Sequence, residues 1–543
     1  RLMIIKIREK SLILIIYEYY YNKVVKEVYM ISIIPKPNFI LDKESIVRID
    51  EFKIIVPEKF SCALEEFKKD YKNFINDDSE YYLEVMELNF ANLEEYAIDI
   101  NHERIMITAK TEVAVYYAIQ SLRQIINVDN RYMNIVGVYI SDKPKYHHRS
   151  FSLDECRHFF GKEEVKKIID VLSLLKFNYF HWHLSDDQGF RINLKKFPML
   201  KEVGSKRKGT KINNVDGPDY ECKVYEHCYE EEDIKEIIDY AEKKYISIIP
   251  EIDMPGHTGS IVASYPHLHC EGKQIEVFDG ICGFKDIICL GKESTYEFVK
   301  NLLNEVLRIF SKSEFFHLGG DEVIPSNWCE CKDCKKKVEE NNLKDVGLLQ
   351  EYFTNRILNE CLIPSGKKII MWHDGIKDNT NKDVILQYWT WQMDRDGIDK
   401  INNGRKTIYS PCSQLYFDAP YAELPLKTTY DRGIKLDGLT KRGLGSVFGI
   451  ECCMWTEFIR EPGLLEFMLL PRLHAVSESA WTYKKNRNYK SFLERLKFHY
   501  EYLEKKSYVS ASPNIIDRYD ECDKVSKEFR NKDRYIEMKL DEK

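Results

Sequence analysis

The sequence predicts a (β/α)8 barrel preceded by a small α+β domain, and three observations carry that reading. Eight short apolar runs recur from residue 150 onward, amphipathic helical patterns lie between them, and polar residues gather where the runs end. A doubly wound open sheet would need a Gly-rich phosphate turn after its first strand, and none is present.

Residues 1–29 hold an apolar run, Ser11 to Tyr17, too short to span a bilayer and without a small-residue cleavage site after it. It reads as neither signal peptide nor anchor, so 1–29 is an upstream extension or a fragment's edge of unknown role. A separate α+β domain is expected over 30–143. Val47 to Val56 and Tyr81 to Met86 read as strands, and Tyr96 to Ile100 with Ile105 to Thr108 as a hairpin. Thr111 then caps a helix through Tyr116, Ile119, Leu122 and Ile125.

The barrel is placed at 144–485. Its strands are expected at Ser150–Asp154, Tyr179–Ser185, Ile246–Ile252, Phe315–Leu318, Lys368–Trp372, Val384–Trp389, Thr407–Ser410 and Val447–Ile450, the last running on to Trp455-Thr-Glu457. Helical spacing is plain in Val165, Ile168, Ile169, Leu172 and Leu175, and again in Ile234, Ile237, Ile238 and Ala241. Residues 486–543 are read as a C-terminal helical extension.

The most informative stretch is Phe315-Phe-His-Leu-Gly-Gly-Asp-Glu-Val323, where two carboxylates end a buried strand. Gly-Gly lets the backbone turn tightly, so Asp321 and Glu322 can share one cleft at the carboxyl end. With 88 acidic and 81 basic residues the formal charge is −7 and no long basic run occurs, which argues against nucleic acid and suits a neutral, sugar-like substrate. Fifteen cysteines, an odd number without an export signal, argue for reduced thiols and a cytoplasmic location. Cys329, Cys331 and Cys334 include a Cys-x-x-Cys pair that would suit a structural zinc, but no fourth ligand is visible nearby; surface thiols are the competing reading, and no metal or cofactor is assigned.

Five blocks in order resemble the β-N-acetylhexosaminidases of glycoside hydrolase family 20: Arg149-Ser-Phe-Ser-Leu-Asp154-Glu-Cys-Arg157-His158-Phe159, His181-Trp-His-Leu-Ser-Asp186-Asp-Gln-Gly-Phe-Arg191, Pro250-Glu-Ile-Asp253-Met-Pro-Gly-His257, His317-Leu-Gly-Gly-Asp321-Glu322 and Trp455-Thr-Glu457. The resemblance spans roughly residues 31–485. Ser150 departs from the family's usual Gly, and Phe190 from its usual Trp. It implies an exo-acting, retaining hydrolase that removes terminal N-acetylhexosamine with the substrate's own acetamido oxygen as nucleophile.

By that resemblance Glu322 is the acid, Asp321 holds the acetamido N–H and stabilises the cation, and Tyr416 steadies the acetamido oxygen. Asp186 and His257 form a polar relay to the acid, although a His after Pro-Gly can also be a cap or a satisfied buried histidine. Trp372, Trp389 and Trp455 wall the pocket, with core packing as the alternative for any one of them. Arg149 grips the 3- and 4-hydroxyls, Asp418 and Glu457 lie near the 4- and 6-hydroxyls, and a structural ion pair is the competing role for Arg149. The expected partner is an N-acetylhexosamine-containing oligosaccharide or glycoconjugate, with no membrane or nucleic acid. A non-catalytic carbohydrate-binding barrel and an exo-glycosidase releasing a disaccharide remain open alternatives.

Overall fold

The computed structural model describes residues 31–129, 131–212, 220–281, 286–390, 394–431 and 438–517. The expected extension over 1–29 and the segment 518–543 lie outside the described residues. The chain divides into two compact units, one of residues up to Lys145 together with Trp481–Lys506, the other of Tyr146–Ala480 with the residues from Ser507 on.

The smaller unit is built on a seven-stranded sheet. Its strands are β1 (Phe39–Ile49), β2 (Lys53–Ile55), β3 (Tyr82–Glu87), β4 (Tyr96–Ile100), β5 (Arg104–Ala109), β6 (Ile126–Val128) and β7 (Met133–Asp142). Along the sheet the order is β1, β7, β4, β5, β3, β2, with β6 also paired to β7. The run from Val47 to Val56 is therefore not one strand. It breaks after Ile49, where exposed Asp50 and Glu51 interrupt the apolar pattern, and its halves pair at opposite edges of the sheet. Helix α1 (Glu112–Arg123) follows β5, and the Thr111 side chain accepts from the Ala114 N–H as its cap. The helix Tyr489–Lys505 belongs to this unit: Arg495 Nη1 donates to the Ile33 carbonyl at 2.7 Å, and His499 Nε2 lies 3.1 Å from that of Ser32.

The larger unit is a closed, all-parallel barrel of eight strands. They are β8 (His148–Asp154), β9 (Tyr179–His183), β10 (Ser247–Glu251), β11 (Phe315–His317), β12 (Lys368–Trp372), β13 (Ile385–Tyr388), β14 (Thr407–Tyr409) and β15 (Val447–Met454), which pairs back onto β8. Helices α2 (Lys162–Leu174), α3 (Glu231–Lys243) and α4 (Glu293–Ile309) each bury an apolar stripe, as the 3.6-residue spacing requires. Sequence and structure agree on every barrel strand.

Side chains alternate across each strand, so interior residues recur every second position and stack in layers. The layer nearest the strand starts is apolar: Tyr179, Ile249, Phe315, Ile370, Ile385 and Ile408. Two residues further on, the layer is polar, with His181, Glu251, His317, Trp372, Gln387 and Glu451 all buried. A polar layer in that position is costly unless every member is paired, and it lies directly beneath the mouth formed by the strand ends. Among the described residues no helix is long and apolar enough to cross a membrane.

Candidate active site

The carboxylate pair after β11 is held by backbone that only glycine tolerates. Gly319 has φ +67°, and a Cβ there would sit 1.9 Å from Asp253 Oδ1; Gly320 has φ +100° and donates its N–H to that oxygen at 2.8 Å. Glu322 (φ 52°) and His257 (φ 48°) are also left-handed, at about 1–2 kcal/mol each for residues with a Cβ. The Glu322 N–H donates to Asp374 Oδ2 at 2.9 Å, and Asp374 Oδ1 accepts from Trp389 Nε1 at 2.8 Å. Asp374 thus fixes the acid's backbone and one wall of the pocket together, a role the sequence reading missed.

A chain of charged groups runs from the polar layer to Glu322. Glu251 accepts from Trp372 Nε1 at 2.9 Å and from His183 Nδ1, while His183 Nε2 contacts Asp186 Oδ2 at 2.8 Å. Asp186 Oδ1 lies 3.2 Å from His257 Nδ1, and His257 Nε2 lies 3.5 Å from Glu322 Oε2. Burial opposes the charge on both histidines, but the carboxylates outweigh it: His183 is pushed up to about 10 and His257 well above its usual range. Asp186 is pulled low despite burial by Arg157, His257 and His183. The structure therefore brings Asp186, His257 and Glu322 into one line.

Asp321 differs from these. It is buried, its Oδ1 has no hydrogen-bond partner among the described residues, and His257 Nε2 is 3.9 Å from Oδ2. Burial first, then the neighbouring Asp253 carboxyl, pushes its pKa well above the ordinary carboxylate range. An orphaned buried carboxylate oxygen invites a donor from a bound molecule.

Aromatic residues wall the space beside it. Trp372 and Tyr416 are buried with Cys412 and Cys453, and half-buried Trp389 and Trp455 pack against that cluster. The Trp455 ring lies 5.8 Å from Trp372 and 6.0 Å from Tyr416.

Arg149 corrects the sequence reading. It is the second residue of the seven-residue β8, five steps or about 16 Å from the strand's carboxyl end. Its guanidinium donates to the carbonyls of Lys176, Tyr146 and His147 and so fastens the closed mouth of the barrel, far from the carboxylate pair. The arginine at the open mouth is Arg157, three residues past the strand. It donates to Gln188 Oε1 at 3.0 Å and Asp154 Oδ2 at 3.2 Å, with Asp186 Oδ2 at 3.0 Å and Glu457 Oε1 at 3.8 Å. Its guanidinium carbon lies 5.3 Å from the Trp455 ring centroid. The rule that barrel chemistry sits at the carboxyl ends was the available signal, and it favours residue 157 over 149. Asp418 is buried near Glu457, whose carboxyl burial pushes up to about 7 against the pull of Arg157.

The cysteine expectation also changes. Cys329 is exposed, whereas Cys331 and Cys334 are buried beside Cys270 and Cys289, contributed by the preceding barrel connection.

Comparison with known proteins fits this geometry. Residues 146–484 match the model of the glycosyl hydrolase family 20 catalytic domain, and 30–143 that of the family's domain 2. A beta-hexosaminidase of Porphyromonas gingivalis is 32% identical over 424 residues, 74% of this chain and 52% of that protein. One of Vibrio furnissii is 28% identical over 405 residues, 71% of this chain and 64% of that protein. The chain thus spans about half of the first relative's length and 64% of the second's. Among solved structures, the GH20 exo beta-N-acetylglucosaminidase from Vibrio harveyi has a TM-score of 0.79 at 26% identity, covering 89% of this chain and 78% of that one. The beta-N-acetylhexosaminidase from Bacteroides fragilis has a TM-score of 0.76 at 29% identity, covering 88% and 96%. The barrel and the domain before it match, in order, the two domain models of one family, and the chain belongs to glycosyl hydrolase family 20.

Proposed function

We propose that this chain is an exo-acting β-N-acetylhexosaminidase that releases terminal non-reducing N-acetylhexosamine with retention, using the substrate's acetamido oxygen as nucleophile. The observation that carries this is Asp321: a buried carboxylate with an unmatched oxygen, next to the acid candidate and beside an aromatic wall. An enzymic nucleophile would have to approach the sugar face opposite the acid, which the residue adjacent to Glu322 cannot easily do.

In this reading the acetamido N–H donates to Asp321, and its methyl packs between Trp372, Trp389 and Trp455. The Tyr416 hydroxyl donates to the acetamido oxygen and aims it at the anomeric carbon. Glu322 protonates the leaving oxygen as the C–O bond breaks and the oxazolinium ring closes. It then takes a proton from the water that opens that ring. Protonated His257, itself held by Asp186, stabilises the Glu322 carboxylate between those steps. Asp321 lies beside the cation in a site shielded from water, where its charge counts most. Arg157, Asp418 and Glu457 are placed to bind the outer ring hydroxyls, which favours a chain end over an internal sugar. Free thiols at the described cysteines support a reducing, cytoplasmic setting.

The test compares aryl N-acetyl-β-glucosaminide with the β-glucoside of the same leaving group. An intramolecular nucleophile is worth on the order of 10⁵ M or more in effective concentration, so the glucoside should react orders of magnitude more slowly. A thiazoline mimic of the cyclised intermediate should inhibit strongly. A covalent sugar trapped on any Asp or Glu during turnover would return the mechanism to an enzymic nucleophile, and failure to turn over any aryl hexosaminide would leave a binding protein.

A further inference from the structure

The loops after β10 and β11 bring together four thiols that the hydrolase mechanism does not use. Cys270, Cys289, Cys331 and Cys334 have all four sulfur atoms within 4.8 Å of one another. Cys289 Sγ is 3.7 Å from Cys331 Sγ and 3.6 Å from Cys334 Sγ. A disulfide needs about 2.05 Å, so these are not bonded pairs. Zinc–thiolate bonds of about 2.3 Å in a tetrahedron put the sulfurs about 3.8 Å apart, close to both of these Cys289 distances.

The surrounding backbone is shaped for this approach. Cys331 precedes α5 (Lys332–Glu340) and Cys334 lies in its first turn, while Cys289 comes from the chain just before α4. Gly291 packs flush against α5: a Cβ there would meet the Asp333 carbonyl carbon at 2.2 Å and the Cys334 nitrogen at 2.3 Å. The segment is pinned on both sides of the cluster, because the Cys289 N–H donates to the Leu268 carbonyl at 2.8 Å and Trp328 Nε1 donates to that of Ile288 at 2.9 Å. Ile288 N–H in turn donates to Thr258 Oγ1 at 3.1 Å, one residue from His257.

We propose that Cys270, Cys289, Cys331 and Cys334 form a tetrathiolate site for a structural zinc ion that clamps the loop after β11 to the loop after β10. Four protein ligands close the coordination sphere, so the ion has no open position for substrate or water. Binding releases the thiol protons and leaves a zinc tetrathiolate of net charge −2. The clamp joins the segment that follows Asp321 and Glu322 to the one that follows His257, and so holds the acid and its relay at a fixed separation. The site is independent of the catalytic reading, since a binding protein on this barrel would need the same clamp.

Full-length protein purified from zinc-containing medium without chelator should carry about one zinc per chain by elemental analysis, with X-ray absorption giving four sulfur neighbours at about 2.3 Å. Replacement by cobalt(II) should produce thiolate charge-transfer and tetrahedral ligand-field bands. Cys289→Ser and Cys334→Ser should lose the metal, whereas Cys329→Ser, outside the cluster, should keep it. Should the serine variants fail to fold, the wild-type protein decides: stripping its metal with a strong chelator should lower its melting temperature, and zinc should restore it. Substoichiometric zinc in wild-type protein, iron in the site, a disulfide between any two of the four, or full zinc content in a folded Cys289→Ser/Cys334→Ser double variant would each overturn the assignment.

Discussion

Asp321→Asn separates a catalytic charge from a structural one, because the two roles predict opposite changes. The substitution keeps the shape and removes only the negative charge. In the cyclised intermediate a carboxylate about 4 Å from the cation, at an effective dielectric constant of about 20, is worth about 4 kcal/mol, or roughly three decades in rate. The loss should fall mainly on kcat for an aryl N-acetyl-β-glucosaminide, with KM moving far less, since the cation is absent from the ground state. Stability should move the other way. Burial and Asp253 raise the Asp321 pKa, so ionisation penalises the folded state as pH climbs above the unfolded value of 3.8. The variant should therefore melt no lower than wild type at neutral pH, and the difference should vanish near pH 3. Steady-state kinetics and a melting curve read both effects. A kcat within tenfold of wild type, or a melting point several degrees lower at pH 7, would refute the reasoning.

Other outcomes follow from the same geometry. Glu322→Gln should lose about 10²–10⁴-fold on a disaccharide with a poor leaving group and much less on an activated aryl glycoside; equal losses would count against it as the acid. Arg157→Lys should cut kcat/KM about 100-fold or more, and less against analogues lacking the outer hydroxyls, because a point charge cannot replace the fork. Arg149→Lys should instead lower the melting temperature and leave KM alone. If Glu457 accepts from a sugar hydroxyl as a carboxylate, its protonation as pH falls through about 7 removes the charge that strengthens that bond, so kcat/KM should drop there, and Glu457→Gln should remove that inflection from the pH profile.

The barrel was legible because parallel strands buried on both faces are rich in apolar residues, and the eight short runs recur between helical patterns even where a polar interior residue such as His181 or Glu251 interrupts them. The small sheet was less so. An apolar stretch such as Val47 to Val56 carries no sign that its halves pair at opposite edges, which only the long-range partners β7 and β3 decide. Within the site, Asp321, Glu322, His257 and Asp186 were readable from strand ends and block order. The block that holds Arg149 and Arg157 runs nearly the whole length of β8, and only the direction of that strand puts residue 157, not 149, at the open mouth. The other two thiols were invisible for a related reason: Cys270 and Cys289 reach Cys331 and Cys334 through the barrel's closure, not through sequence spacing.

The charge arrangement explains why so many ionisable groups are buried under one pocket. Burial opposes the charge on Asp186 and Glu251, but Arg157, His257 and His183 hold the first low, and His183 and His181, both themselves pushed up, help hold the second low. Asp253 and Asp321 are not balanced in this way, and burial leaves both well above the ordinary range. The pocket is thus short of positive charge at the point where the acetamido group would lie. A neutral substrate supplies none on binding, so the deficit persists in the ground state. In the mechanism proposed above, the oxazolinium cation would supply it during reaction, at close range to the Asp321 carboxylate. Stabilisation reserved for that moment lowers the barrier without deepening the bound state, which is the condition for raising kcat. The polar layer of His181, Glu251 and Glu451 beneath the mouth keeps that arrangement rigid, since each of its hydrogen bonds would have to break before the carboxylates above could relax.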